Sequence, residues 1–302
     1  MQQVERGDYS TFVKNRVMLK PFLKITIVFF SFVSMGCASM DAPTSYMYSD
    51  WFTADAAHAA KDAKKIKKLS IGLCRDSVFP NPTIVSMGKL SDLNILMHRS
   101  GGFTYIPSRK MLFDTVGLAF MQQLKKLTID GSIMAHFPYE LSKLAHLEEL
   151  NLVFCKISEF PSDLSSFKNL KTLNLSLNEI TKMPDSIIFP SSLQTLVLNN
   201  NKLSDIPVKA LRYAHIKVLD ISNREGVAHE HIGVNVNTFS IVRKIEIINI
   251  LIQNPFLQTL IVEADDCAVL TELYNSINTA QLKKKLRVSV NNEFCTLERM
   301  KK

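Results

Sequence analysis

The sequence predicts an α/β solenoid, a coil with a curved parallel β-sheet on its concave side and irregular or helical chain on its convex side. Three observations predict it. First, an apolar phrase returns at an unvarying interval of 23 residues. It reads Leu147-x-x-Leu150-x-Leu152-x-x-Cys155-x-Ile157 and closes on Pro161, then repeats as Leu170, Leu173, Leu175, Asn178, Ile180 and Pro184, and again as Leu193, Leu196, Leu198, Asn201, Leu203 and Pro207. One period earlier Leu124, Leu127, Ile129, Ser132, Met134 and Pro138 fall in register, and one period later Ile216, Leu219 and Ile221 do. Second, Leu150 and Leu152 alternate with Asn151 and Val153, so the two pairs point to opposite faces of a short strand. Third, a unit this short cannot bury its own apolar face, and each must stack on its neighbours.

The polar turn follows the same logic. Asn178 and Asn201 turn the chain inward, and a buried amide there must find backbone partners in adjacent coils, because an unpaired one costs about 1–3 kcal/mol. Ser132 and Cys155 hold that position in the earlier repeats and make fewer bonds, so the ladder should be weaker there. The prolines at 138, 161, 184 and 207 suit the convex side, where no sheet ladder needs their missing N–H.

The Leu-x-x-Leu-x-Leu spacing, the small polar residue and the proline, held together through four periods, resemble the leucine-rich repeat proteins of the 23-residue bacterial or Ras-suppressor-like class. The resemblance implies a non-enzymatic solenoid whose partner is a protein, less often a glycan.

Composition agrees with this and narrows the partners. Hydrophobic residues make up 46% of 302, ample for a continuous core. The net charge is +8, but residues 1–36 hold five basic and two acidic residues, so the remainder carries +5. That is not the balance of a nucleic-acid-binding chain. Apart from Lys64, Lys65, Lys67 and Lys68 and the trio Lys283 to Lys285, the lysines are scattered and read as solvated edges of the coil, not as an anion-binding patch.

Taken in order, residues 1–36 read as a signal peptide, within which Met18 is an alternative start. Lys20 and Lys24 form its basic region, residues 25–33 its apolar region, and Ser34-Met35-Gly36-Cys37 its end. This resembles a bacterial lipoprotein signal, which implies cleavage before Cys37 and lipid attached to that cysteine. An ordinary secretory signal or a short anchor is the alternative, although the charge-free stretch 25–40 spans 16 residues, short of the roughly 20 a membrane helix needs. Ala38 in place of Asp favours the outer membrane, by the same resemblance. Residues 37–49 form a tether, and 50–65 a capping helix rich in alanine. The repeats occupy 66–302, with a regular block at 124–223 and irregular repeats and a C-terminal cap at 224–302. Insertions are expected at 99–113 and 224–254; the second should contain a helix over 238–253, and another helix is expected near 269–280. The phrases at Leu257-x-x-Leu260-x-Val262 and Lys283-x-x-Leu286-x-Val288 predict two late strands.

Little suggests chemistry. Cys74 and Cys155 stand at polar turns and read as buried thiols, and Cys267 and Cys295 are a candidate disulfide. His229-Glu230-His231 is a short His pair without a third ligand at a metal-site spacing and reads as a solvated loop, so no cofactor is expected. No phosphate loop, nucleophile elbow or His-Glu-x-x-His pair is present. The inner face of the sheet is then the working surface: Glu149, Asn151, Val153 and Phe154; Thr172, Asn174, Ser176 and Leu177; Thr195, Val197, Asn199 and Asn200. Lys126, Thr128 and Asp130 flank it on one side and Val218, Asp220 and Ser222 on the other. Adjacent strands about 4.8 Å apart place Phe154 beside Leu177 as an apolar spot in a polar field. The alternatives are a scaffold or adhesion element that works through its insertions, and a metal-dependent enzyme built on His229 and His231.

Overall fold

The computed structural model describes residues 26–28, 45–46, 67–73, 87–97, 115–134, 136–223, 235–264, 271–272, 275 and 286–290. Its strands are β1 (Thr26–Val28), β2 (Ser45–Tyr46), β3 (Lys68–Leu73), β4 (Asp92–Met97), β5 (Lys126–Asp130), β6 (Glu149–Val153), β7 (Thr172–Asn174), β8 (Thr195–Val197), β9 (Val218–Asp220), β10 (Thr259–Ala264) and β11 (Leu286–Val290). They form one sheet in which β3 to β11 follow chain order, β1 lies parallel outside β3, and β2 pairs antiparallel with β3. This is the solenoid expected from the 23-residue period, and both late strands are present. β1 and β2 lie within the segments read as signal and tether; a chain cut before Cys37 would lack β1 and keep β2.

Register fixes the core. Leu127, Leu150, Leu173 and Leu196 pair in succession across β5 to β8, and Leu219 and Leu260 continue the column. Each is buried, as are Ile129, Leu152, Leu175, Leu198 and Ile221 beside them. At roughly 2 kcal/mol for each fully buried leucine, the coils are held chiefly by these stacked columns. Two convex columns add to the core: Phe137, Phe160, Met183 and Ile206, and Leu141, Leu164 and Ile187, all buried. They also recur every 23 residues, a signal available in the sequence that the strand-centred reading passed over. Pro138 and Pro207 sit immediately before a 3-10 helix (Tyr139–Lys143) and a short α-helix (Val208–Tyr213), where a missing N–H costs nothing.

The buried amide of Asn178 accepts from Cys155 N (2.9 Å) and Ile157 N (3.1 Å) and donates to Leu152 O, Leu175 O and Ser176 O at 2.7, 3.0 and 3.2 Å. Asn201 repeats the pattern one coil on, with Ile180 N as donor and Leu175, Leu198 and Asn199 carbonyls as acceptors. The Cys155 thiol makes longer contacts, to Ile129 O and Val153 O at 3.4 and 3.3 Å, and the buried Ser132 hydroxyl has no partner. The ladder therefore weakens towards its first members, as the residue types require.

The 41-residue interval after Ile216 resolves differently from a plain loop followed by a helix. Asn237 takes the ladder position: it accepts from Leu203 N (3.0 Å) and donates to Leu198 O and Ile221 O, both at 3.1 Å. Thr238 N then bonds Leu203 O at 2.7 Å, as Lys202 N bonds Ile180 O and Glu179 N bonds Ile157 O in the preceding coils. Because 237–239 belong to the turn, with Phe239 buried, the helix starts late, at Ile241–Leu251, capped by the Ser240 side chain. Its exit is fixed by Asn254, whose amide donates to Leu211 O and Ala214 O. The capping helix at 50–65, the insertion at 99–113, residues 224–234 and the C-terminal segment 291–302 lie outside the described residues, as does most of the helix expected near 269–280.

Two predictions follow from the ladder. Asn178→Ala should cost about 3 kcal/mol, since it strands several buried backbone groups, whereas Ser132→Ala should be neutral or slightly stabilising; chemical denaturation of both variants checks the contrast. Burial pushes the Cys155 thiol up to about 12 from 9.0. The unfolded chain therefore releases that proton first, and the stability of the protein relative to Cys155→Ala should fall as pH rises through the window from 9 to 12, by up to about 1.4 kcal/mol per pH unit.

Candidate ligand-binding face

The strands that form the concave face are three to five residues long in the regular block, and each presents two or three side chains inward. Of the positions expected there, Glu149, Asn151, Val153, Phe154, Thr172, Asn174, Leu177, Thr195 and Val197 are half-buried and reachable. Ser176 and Asn199 are not: they are 7% and 5% exposed, and Asn200 is 1% exposed. β7 and β8 stop at Asn174 and Val197, and the chain folds inward earlier than strict alternation assumes. Asn174 Oδ1 accepts from Ser176 N at 2.9 Å, and the Asn199 amide is spent on Asn200 Oδ1 at 2.9 Å. Asp220 and Ser222, placed on one flank of the surface, are likewise buried, with the Asp220 carboxylate accepting from Ser222 N and Oγ.

The backbone explains why Phe154 and Leu177 stay at the surface. Gly131, Phe154, Leu177 and Asn200 occupy one column at 23-residue spacing, and all four have left-handed backbone, with φ of 89°, 55°, 59° and 55°. Their N–H groups donate to Val153 O, Ser176 O, Asn199 O and Ser222 O at 3.0 to 3.1 Å, which carries the inter-coil ladder past the ends of the strands. Glycine and asparagine suit that geometry; a β-carbon with a bulky substituent costs about 1–2 kcal/mol there. Phe154 and Leu177 are thus held in an unfavourable backbone on the rim of the concave face, side by side in adjacent coils.

The polar part of the face is pre-ordered. The Asn151 amide bridges Thr128 Oγ1 and Glu149 Oε1, each at 3.0 Å, and Lys126 Nζ lies 2.7 Å from Glu149 Oε2. Burial pushes the Glu149 carboxyl up, but the hydrogen bonds from Lys126 and Asn151, with the Lys126 charge, outweigh it and hold the group below the usual range. The same hydrogen bond to Glu149, followed by its charge, raises the Lys126 ammonium. At the far end Asn223, missed in the sequence reading, donates to Asn237 O and to Glu263 of β10 and accepts from Asn237 N at 2.7 Å. This ties the returning limb of the insertion to the sheet, and Asn235 reaches back to Asn178 O at 2.8 Å. The sequence signal was the Asn237-x-Phe239 echo of Asn201-x-Leu203. Cys37, Cys74, His229, His231, Cys267 and Cys295 lie outside the described residues. Among the described residues no group of three His, Cys, Asp or Glu side chains is placed to hold a metal, and no helix is long and apolar enough to cross a membrane.

Comparison with known proteins adds a family to this geometry. Residues 145–203 match the family model described as leucine rich repeat. None of the curated proteins matches the chain. Among solved structures it is similar to an LRR protein of Leptospira interrogans, at 21% identity and a TM-score of 0.46 over 79% of this chain and 54% of that one. It is also similar to InlP of Listeria monocytogenes, at 15% identity and a TM-score of 0.43 over 74% of this chain and 53% of that one. The chain thus spans about half the length of both. Residues 145–203 carry leucine-rich repeats, and they lie within the coil of parallel strands described above.

Proposed function

We propose that this solenoid binds a protein ligand through its concave face, with Phe154 and Leu177 as the apolar anchors, and that the protein is held at the bacterial outer membrane by lipid on Cys37. Leucine-rich repeat domains are in general protein-binding, and a half-polar, pre-ordered surface around a small apolar spot is what a recognition surface requires. The observation that carries the reading is the left-handed backbone at Phe154 and Leu177. Stability alone would favour glycine or asparagine at both positions, as at Gly131 and Asn200, so the bulky side chains are retained at a cost that contact with a partner would offset. Glu149, Asn151, Val153, Thr172, Asn174, Thr195 and Val197 supply the surrounding polar and small contacts. The membrane tether rests on the sequence from Lys20 to Cys37.

Two measurements test this. Leu177→Asn should unfold at equal or higher denaturant concentration, a gain of up to about 1 kcal/mol, yet capture less partner than the parent chain; Phe154→Ala should also capture less. A scaffold that used its insertions would be indifferent to both substitutions. Mass analysis of the mature N-terminus should find an acylated Cys37, and an intact Met1 or Met18 would overturn the anchoring.

A further inference from the structure

Lysines that look scattered in the sequence fall into a row in the structure. The residue just before each strand bonds its neighbours through the backbone: Ser91 N donates to Lys67 O, Lys125 N to Ser91 O, Glu148 N to Lys125 O, Lys171 N to Glu148 O, Gln194 N to Lys171 O and Lys217 N to Gln194 O, at 2.7 to 2.9 Å. Lys67, Lys125, Lys171 and Lys217 thus occupy every second position of one column along a single rim of the coil. All four are exposed. The intervening residues are Ser91, Glu148 and Gln194, so four cations face one anion. In the next column inward the charges cancel, with Lys68 paired to Asp92 at 3.3 Å and Lys126 to Glu149 at 2.7 Å.

We infer that this rim binds an extended acidic polysaccharide. Alternate strands are about 10 Å apart, which is the reach of two linked sugar rings, so a chain with one carboxylate or sulfate per disaccharide presents its charges at the interval of the lysines. Glu148 does not block this. Its contacts to Lys171 (2.5 Å) and Lys125 (3.9 Å) involve side chains that are 54% and 58% exposed, and such pairs give way readily to a multivalent anion. A second feature selects sugar over a bare anion. Among the described residues the two most exposed aromatic side chains are Phe120, at 71%, and Tyr213, at 75%; Phe120 is five residues before Lys125, and Tyr213, at the end of the short helix Val208–Tyr213, is four before Lys217. A flat ring there meets the apolar face of a pyranose, and the Arg212 guanidinium, 5.7 Å from the centre of the Tyr213 ring, adds a cation at the same end. The rim is separate from Phe154 and Leu177, which lie beyond the opposite ends of the strands.

Heparin is the probe. The full chain should elute from immobilised heparin at higher salt than from a sulfonate cation exchanger. Lys125→Ser, Lys171→Ser and Lys217→Ser combined should abolish that difference, while Lys156→Ser, Lys182→Ser and Lys202→Ser, an equal loss of charge elsewhere, should leave it. Glu148→Gln should raise the heparin elution, a gain that misfolding would not produce, and Tyr213→Ala should lower it without changing elution from the sulfonate resin. Equal elution of the parent chain from both resins would overturn the inference, as would equal effects of the two triple variants. Binding to phosphatidylserine vesicles without any excess on heparin would also overturn it and point to a membrane surface. None of these outcomes bears on the concave face, whose residues are untouched.

Discussion

The structure depends on hydrogen bonds between successive coils that no coil can satisfy alone. The strand ladders supply most of them, but the Asn178, Asn201 and Asn237 amides decide how the chain leaves the sheet. Each amide reaches carbonyls in its own coil and the preceding one and accepts an N–H from the coil before it. A coil is therefore complete only when its neighbour is in place. The leucine columns add most of the burial energy, but they tolerate shape changes that the directional amide bonds do not.

That constraint explains where variation is allowed. The polar turn must close the ladder, so the excursion between Asn223 and Asn237 leaves and returns at the turn itself, where the Asn223 to Asn237 bonds restore the connection after 14 residues. The convex side has no ladder to keep and accommodates a 3-10 helix, a six-residue helix and an eleven-residue helix in different repeats without disturbing the strand register. Four successive polar turns, those of Ser132, Cys155, Asn178 and Asn201, are each preceded by a left-handed residue. Gly131 and Asn200 meet the need cheaply, whereas Phe154 and Leu177 meet it at a cost in backbone energy.

Charge follows the same geometry. A coil of nearly constant length brings residues 23 apart into contact, so any bias at one position becomes a row. Lys67, Lys125, Lys171 and Lys217 form such a row on one rim, while Lys68, Asp92, Lys126 and Glu149 one position inward alternate in sign and neutralise each other. Two adjacent columns thus differ in electrostatic character, because the outer holds four cations to one anion and the inner two of each.

The sequence by itself determined the fold, the parallel order of the strands, the identity of the leucine columns and the weakness of the ladder at Ser132 and Cys155, because these follow from a fixed period and from how many hydrogen bonds each side chain can make. It also placed Phe154 next to Leu177. Only the tertiary structure decided that Ser176 and Asn199 turn away from the face, since β7 and β8 end at Asn174 and Val197 and strict alternation cannot show where a strand stops. Only the tertiary structure showed that Asn237 replaces the residue 23 after Asn201, because a partner displaced by an insertion is identified by the bonds it makes and not by its distance along the chain. The lysine row was hidden for the same reason: its members are 46 or 58 residues apart in sequence and line up at alternate positions only when the coils stack.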